Sequence, residues 1–370
     1  MGLTLGIVGC GAIGALHAET AVRAGFTVGA AWDMNAERAD SFARVHKCDA
    51  SPSLDALLAR PEIDAVAIAV PNAAHASCAC AALRAHKHVL LEKPMALSLD
   101  ECDEILACER ASRGRLQIGL VCRSAPSTRA VRALIATGRL GSIHHVKAQV
   151  WRRRGIPGLG GWFTTKAISG GGPLIDLGVH VLDLALHLTG QPRVERVLGA
   201  TYAKFGSPIG SYRYREMWSG PPRLDGTFDV EDSVVALLRC TGGLTIELNV
   251  AWAANFPEGV VQDGITLLGS KGGAHFAPLS AKATFAGEDE SGPIEEPIIV
   301  ETVDPWPDAW AAQYGEFARL AREGGASIAP GTEARALQAA ILAIYESASE
   351  SPAGEGGESR PGEGESRPGH

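Results

Sequence analysis

The stretch Leu3-Thr4-Leu5-Gly6-Ile7-Val8-Gly9-Cys10-Gly11-Ala12-Ile13-Gly14, with Asp33 about 20 residues further on, decides the fold. Residues 3–8 form a short apolar run that reads as a strand, and an Ala-rich segment near 15–24 reads as a helix. Between them, Gly9-Cys10-Gly11-Ala12-Ile13-Gly14 fits G-x-G-x-x-G. A hexapeptide of that form is weak evidence alone, but strand, turn, helix and a following acidic residue together are the context the fingerprint requires. Gly9 makes a tight turn, Gly11 admits a pyrophosphate to the backbone, and Gly14 lets helix and strand pack closely. The helix start, with Cys10, Ala12 and Ile13 completing the loop, offers unpaired N–H groups to phosphates. Asp33 ends the next apolar run, 26–32, and is placed to accept hydrogen bonds from an adenosine ribose. Its charge opposes a 2′-phosphate and points to NAD over NADP, although Arg38 is close enough in sequence to pair with such a phosphate.

Outward from this unit the alternation continues. Asn35 is an N-cap residue, 63–70 is a continuous apolar strand, and 74–85 reads as its crossover helix. A strand at 88–92 follows. Ser98-Leu99-Asp100-Glu101 has the form of a capping box opening a helix to about 107, and 116–121 closes the set. Strands alternating with helices predict a doubly wound parallel sheet over 1–123.

The texture changes after a helix at about 128–136. Strand-like segments at 143–151, 194–205, 230–240, 244–252 and 265–268 are joined by turns, Cys240-Thr241-Gly242-Gly243 among them. These predict a second α+β domain over 124–350 with a large open, mostly antiparallel sheet, and late helices at about 310–322 and 332–347. Residues 351–370 carry a seven-residue repeat, Gly-Glu-Ser-Arg-Pro-Gly followed by Glu363 or His370, with no apolar face, and are expected to be disordered.

Composition removes other classes. A net charge of −8, with no basic block longer than Arg152-Arg153-Arg154, argues against nucleic acid and anionic membranes. Eight cysteines without a C-x-x-C pair suit reduced thiols in a cytoplasmic protein better than disulfides or zinc. The amino terminus lacks the basic flank of a signal peptide, and no apolar run reaches the roughly 20 residues of a membrane span.

Two further stretches carry chemistry. Leu91-Glu92-Lys93-Pro94 ends a parallel strand, at the edge where such sheets bind ligands, so Lys93 reaches the reacting end of a bound cofactor. In Gly170-Gly171-Gly172-Pro173-Leu174-Ile175-Asp176-Leu177-Gly178-Val179-His180, Asp176 and His180 are spaced i, i+4 on an otherwise apolar helix, and Asp183 continues their face. Three readings stand side by side: a metal site, for which no third ligand is evident; a satisfied buried His–Asp contact; and an acid/base pair facing the cleft.

These motifs, spaced as they are, resemble the glucose–fructose oxidoreductase/inositol dehydrogenase (Gfo/Idh/MocA) family over about 3–347. The resemblance implies an NAD-dependent oxidoreductase interconverting a secondary hydroxyl and a ketone on a sugar, glycoside or cyclitol, aminoglycosides included. It implies Lys93, His180 and Asp176 as catalytic residues, and Pro71, Asn72, His75 and Glu92 along the cofactor. Arg123 matches a substrate-side position, and the Trp151–Gly158 and Gly161–Phe163 stretches match the substrate loop, where Trp162 either stacks on a sugar or packs inside. It also implies a homodimer or homotetramer formed through the second sheet. Asp225, Asp229, Glu231 and Asp232 read as an attraction for an amino-sugar or as a solvated strand edge. Rival functions are a redox-neutral glycosidase using tightly held NAD, and a non-catalytic dinucleotide sensor.

Overall fold

The computed structural model describes residues 2–213 and 217–350; the carboxyl-terminal repeat lies outside them. Six strands form the first sheet: β1 (Thr4–Val8), β2 (Thr27–Trp32), β3 (Asp49–Ala50), β4 (Ala65–Ile68), β5 (His88–Leu91) and β6 (Leu116–Ile118). All are parallel, in the order β3-β2-β1-β4-β5-β6. Both faces are covered, which is why β4 is buried along its whole length. The winding reverses between β1 and β4, so their carboxyl ends open a crevice at that point. Local signals set the helices as expected. The Asn35 side chain accepts from Arg38 N–H, and Ser98 and Glu101 form a reciprocal capping box.

The second sheet has eight strands: β7 (Ile143–Trp151), β8 (Val194–Tyr202), β9 (Ser233–Cys240), β10 (Thr245–Ala251), β11 (Gly264–Gly269), β12 (Gly273–Phe276), β13 (Ala283–Asp289) and β14 (Gly292–Pro297). Their order is β14-β13-β12-β11-β7-β10-β9-β8, antiparallel except for β7 against β10. Alternation decides its faces. Val146 and Ala148 of β7, Ile246, Leu248 and Val250 of β10, and Val234, Ala236 and Leu238 of β9 are buried. The helix Val179–Leu188, itself almost wholly apolar, shares that core. Each fully buried Val, Leu or Ile side chain among them contributes roughly 1.5–3 kcal/mol. Among the described residues no layer covers the opposite face, and Leu198, Tyr202, Val235, Leu237 and Leu268 stand exposed on it.

The strands β12 to β14 were not foreseen from the sequence. They are short or carry Gly, Glu and Pro where β-branched residues would mark a strand. Among the described residues no helix is long and apolar enough to cross a membrane.

Candidate active site

The glycine loop follows β1 directly, and each glycine has a separate physical reason. Gly9 has φ +98°, and a Cβ there would lie 2.5 Å from Ala69 O. A Cβ on Gly14 would lie 2.0 Å from Gly9 O, so the helix Ala12–Arg23 packs on the strand only through glycine. Gly11 is different: a Cβ there would meet nothing within 4 Å. That open space above the first free N–H groups of the helix is the cradle a pyrophosphate needs. Asp33 closes the loop from beside it, accepting Cys10 N–H at 2.9 Å and Asn35 N–H at 2.9 Å, with Arg38 at 3.4 Å. Arg38 is thereby turned toward the carboxylate. These residues fit a dinucleotide.

The strand β5 delivers Glu92 and Lys93 to the same edge. Glu92 is buried: its Oε1 meets His17 Nε2 at 3.1 Å and its Oε2 accepts Lys93 N–H at 3.2 Å. His17 continues through Nδ1 to the Tyr314 hydroxyl at 2.8 Å. Burial pushes the Glu92 carboxyl up, but the His17 hydrogen bond and charge, with Lys93 and His180, outweigh it and hold it below the usual range. Glu92, expected along the cofactor, instead ties the backbone of Lys93 to the first helix. His75 is also buried, with Nδ1 at 2.7 Å from Pro94 O and Nε2 at 3.0 Å from Val70 O. Burial lowers its pKa. Asn72 donates to Ser169 O at 2.8 Å, while Pro71 is exposed beside it.

The second motif meets the first. Residues Leu174–Gly178 form a π-helical turn leading into the helix Val179–Leu188. Wide turns of this kind recur at functional sites. Here the Asp176 carbonyl accepts from Lys93 Nζ at 2.8 Å, and its Oδ1 lies 3.2 Å from the same ammonium. Asp176 Oδ2 accepts from Trp252 Nε1 at 2.9 Å. Burial pushes the Asp176 carboxyl up, yet Lys93, Trp252, Arg152 and His180 together hold it below the usual range. Glu231, buried, fixes the start of the turn by accepting Gly172 and Leu174 N–H and the Tyr345 hydroxyl.

His180 is partly exposed, with Nδ1 at 3.8 Å from Cys122 Sγ. Burial and then the Lys93 charge push its imidazole down to about 3, so it stands neutral rather than near the neutral-pH midpoint expected of a tuned base. Burial pushes the Cys122 thiol up to about 12, leaving it protonated. Among the described residues Asp176 makes no hydrogen bond to His180, and its two oxygens serve Lys93 and Trp252 instead. The π turn breaks the regular i, i+4 spacing on which the pairing was expected.

Other expectations resolve differently. Asp183 does not continue the polar face. It is buried against Arg123, which donates to it through Nε at 2.9 Å and Nη2 at 2.6 Å. Arg123 also pairs with Glu333 and donates to Ile328 O at 3.0 Å. It is therefore a buried ion-pair residue joining late segments to the core. Trp162 stacks on Phe163 at 3.8 Å and stays partly exposed. Asp232 is buried and accepts Lys204 and Phe205 N–H, so it is no solvated edge, whereas Asp229 stays exposed while accepting Lys166 N–H. Among the described residues the one cluster with metal-ligand spacing is Cys80, Glu104 and Cys108, on helices away from this site.

His17 and Trp252 were missed as site residues, and Glu231, read as an attraction for an amino-sugar or a solvated edge, is instead buried under the turn. A histidine three positions after Gly14 in an Ala-rich helix was the one visible signal for His17; Trp252 depends on strand register.

Two family models match: the oxidoreductase family with an NAD-binding Rossmann fold over residues 3–120, and the Gfo/Idh/MocA C-terminal domain over 128–275. A protein of Amycolatopsis mediterranei named as a UDP-kanosamine synthase oxidoreductase subunit is 33% identical over 73% of this chain and 72% of its own. D-glucoside 3-dehydrogenase of Escherichia coli is 32% identical over 63% of this chain and 64% of its own. Among solved structures, levoglucosan dehydrogenase in complex with NADH and levoglucosan superposes with a TM-score of 0.82 at 20% identity, covering 94% of this chain and 98% of that one, which shows a shared fold. The glycine cradle, the matched Rossmann and C-terminal segments and the relative 33% identical over 73% of the chain agree, and the chain belongs to the Gfo/Idh/MocA family of NAD-binding oxidoreductases.

Proposed function

We propose that the protein oxidises a secondary hydroxyl of a sugar or glycoside to a ketone, or runs the reverse, with Lys93 and His180 as the residues that touch the reacting oxygen. The observation that carries this is the convergence of the two motifs: the Lys93 ammonium, at the carboxyl edge of the dinucleotide sheet, is held by Asp176 one turn from His180. Named relatives acting on glucoside and nucleotide-sugar substrates support the sugar class. NAD, when bound, supplies the hydride acceptor.

The remaining chemistry belongs to the chain. Neutral His180 carries a free ring nitrogen and accepts the hydroxyl proton. Lys93 donates a hydrogen bond to the oxygen, which gains charge only as the carbinol C–H bond breaks, so this contact favours the transition state over the ground state. Asp176 and Trp252 orient Lys93. Gly11 and the first helix hold the pyrophosphate, and the Asp33 carboxylate takes the ribose hydroxyls and opposes a 2′-phosphate. The exposed face of the second sheet serves for self-association, as apolar patches without a covering layer do.

NADH formation with a panel of sugars, glycosides and cyclitols, with NAD+ and NADP+ in parallel, tests this reading. Reduction of NAD+ by at least one sugar class is expected. NADH that never accumulates although substrate is converted would favour the redox-neutral alternative, and no conversion at all would favour a sensor.

A further inference from the structure

Among the described residues, a charged side chain on the inner face of the second sheet, Arg152, has a guanidinium without a partner. β7 ends at Trp151, and its inward row runs through Val146, Ala148 and Val150 to Arg152. In the parallel register Val150 lies beside Val250 and Trp151 beside Ala251. Arg152 N–H donates to Ala251 O, which places Arg152 next to Trp252, the residue that holds Asp176. The catalytic turn packs on this same row: a Cβ at Gly178 would sit 3.4 Å from Val250. Arg152 therefore opens toward Asp176 and His180, and both feel its charge.

Its side chain is half-buried and its stem is guided by Gly155, where a Cβ would lie 2.5 Å from Arg152 Cδ. Among the described residues its guanidinium makes no hydrogen bond and no ion pair. The nearest acidic groups are already used. Asp176 serves Lys93 and Trp252, and Asp263, which also feels Arg152, accepts Trp151 N–H at 2.8 Å. The neighbouring Arg154 is committed to Asn255, to Ala254 O and to the Phe205 ring, whereas Arg153 is exposed beside the mouth. On a chain of net charge −8, this is a local cationic rim at the reacting cleft. A half-buried guanidinium keeps five donors that water only partly satisfies, and its planar fork suits two oxygens of one phosphoryl group.

We infer that Arg152 is the anion receptor of the substrate cleft and that the preferred substrate is a sugar carrying a phosphoryl group. The inference rests on the sugar-oxidoreductase reading for its site and adds the substrate's charge to it. A phosphomonoester and a nucleotide diphosphate present the same chemistry to the guanidinium, and the experiment separates them.

Calorimetric titration of the NAD-loaded protein uses three probes sharing one hexose: methyl α-glucoside, glucose 6-phosphate and UDP-glucose. At least one phosphoryl probe should bind roughly 10- to 100-fold more tightly than the neutral one, as for charge-assisted hydrogen bonds. That advantage should shrink with added salt. Arg152→Gln should bring the favoured probe down to the level of the neutral one, whereas Arg152→Lys, keeping the charge without the fork, should retain part of the preference. Unchanged NAD affinity in each variant reports an intact fold. Equal binding of all three probes, no phosphoryl-dependent binding, or a loss in Arg152→Gln shared equally by the neutral probe overturns the proposal. NADH is read in the same samples: tight, Arg152-dependent binding without reduction of NAD+ contradicts the dehydrogenase reading while leaving the anion receptor standing.

Discussion

At the residue scale the site is a set of unequal partnerships. Lys93 is held by an aspartate that also holds a tryptophan, while His180 has a thiol as its partner. The imidazole is therefore the softer member of the pair. Because its folded pKa falls to about 3, below the ordinary value of 6.5, the unfolded chain binds more protons between these values. The stability contributed by neutral His180 is present above about pH 6.5 and is lost as pH falls toward 3. Nitrogen NMR of labelled histidine should show no titration of His180 above about pH 5; a midpoint near 6.5 would refute this account of the site. That Lys93, Asp176 and His180 come together was legible because two motifs pointed to them. The duty of Asp176 was not legible, since its partner Trp252 is set by the pairing of β10 with β7, which no local pattern encodes. Arg123 misled for the opposite reason. Its motif position was readable, but Asp183 and Glu333, from distant helices, claim it.

At the scale of elements, the glycine loop separates folding from binding. Gly14→Ala forces a Cβ to within 2.0 Å of a carbonyl, and should lower stability by about 1–3 kcal/mol in urea unfolding whether or not NAD is present. Gly11→Val meets no protein atom at its Cβ, so its unfolding midpoint without cofactor should stay near wild type while NAD affinity falls at least about tenfold. Equal thermal stability of both variants would contradict these roles. The Rossmann elements were readable because their caps, turns and apolar runs agree with one another. The π turn at Leu174–Gly178 was not, because it is built from Glu231, remote in sequence, capping two N–H groups. The strands β12 to β14 were hidden because backbone pairing, rather than an apolar alternation, defines them.

At the scale of the whole molecule, Arg123 and the second sheet make separate claims. The buried Arg123–Asp183 pair links the segment after β6 to the catalytic helix, with Glu333 beyond it. Arg123→Met leaves Asp183 buried without its cation, and should cost about 3–5 kcal/mol of stability with little change in sugar KM for the folded fraction. A raised KM at unchanged stability would return Arg123 to the substrate. On the open sheet, Leu198 lies opposite Leu237, and Val235 stands in the same exposed row. Leu237→Glu should therefore shift sedimentation toward the monomer, and a wild-type protein already monomeric at micromolar concentration would rule out that interface. The central claim is that the ammonium of residue 93 and the imidazole of residue 180 work on one substrate oxygen. Its most direct test is single-turnover NADH formation in wild type, Lys93→Met and His180→Ala, with NAD affinity determined on the same samples. The account predicts that each variant binds NAD within a few-fold of wild type yet forms NADH roughly 10²–10⁴-fold more slowly; near-normal rates in both variants would contradict it.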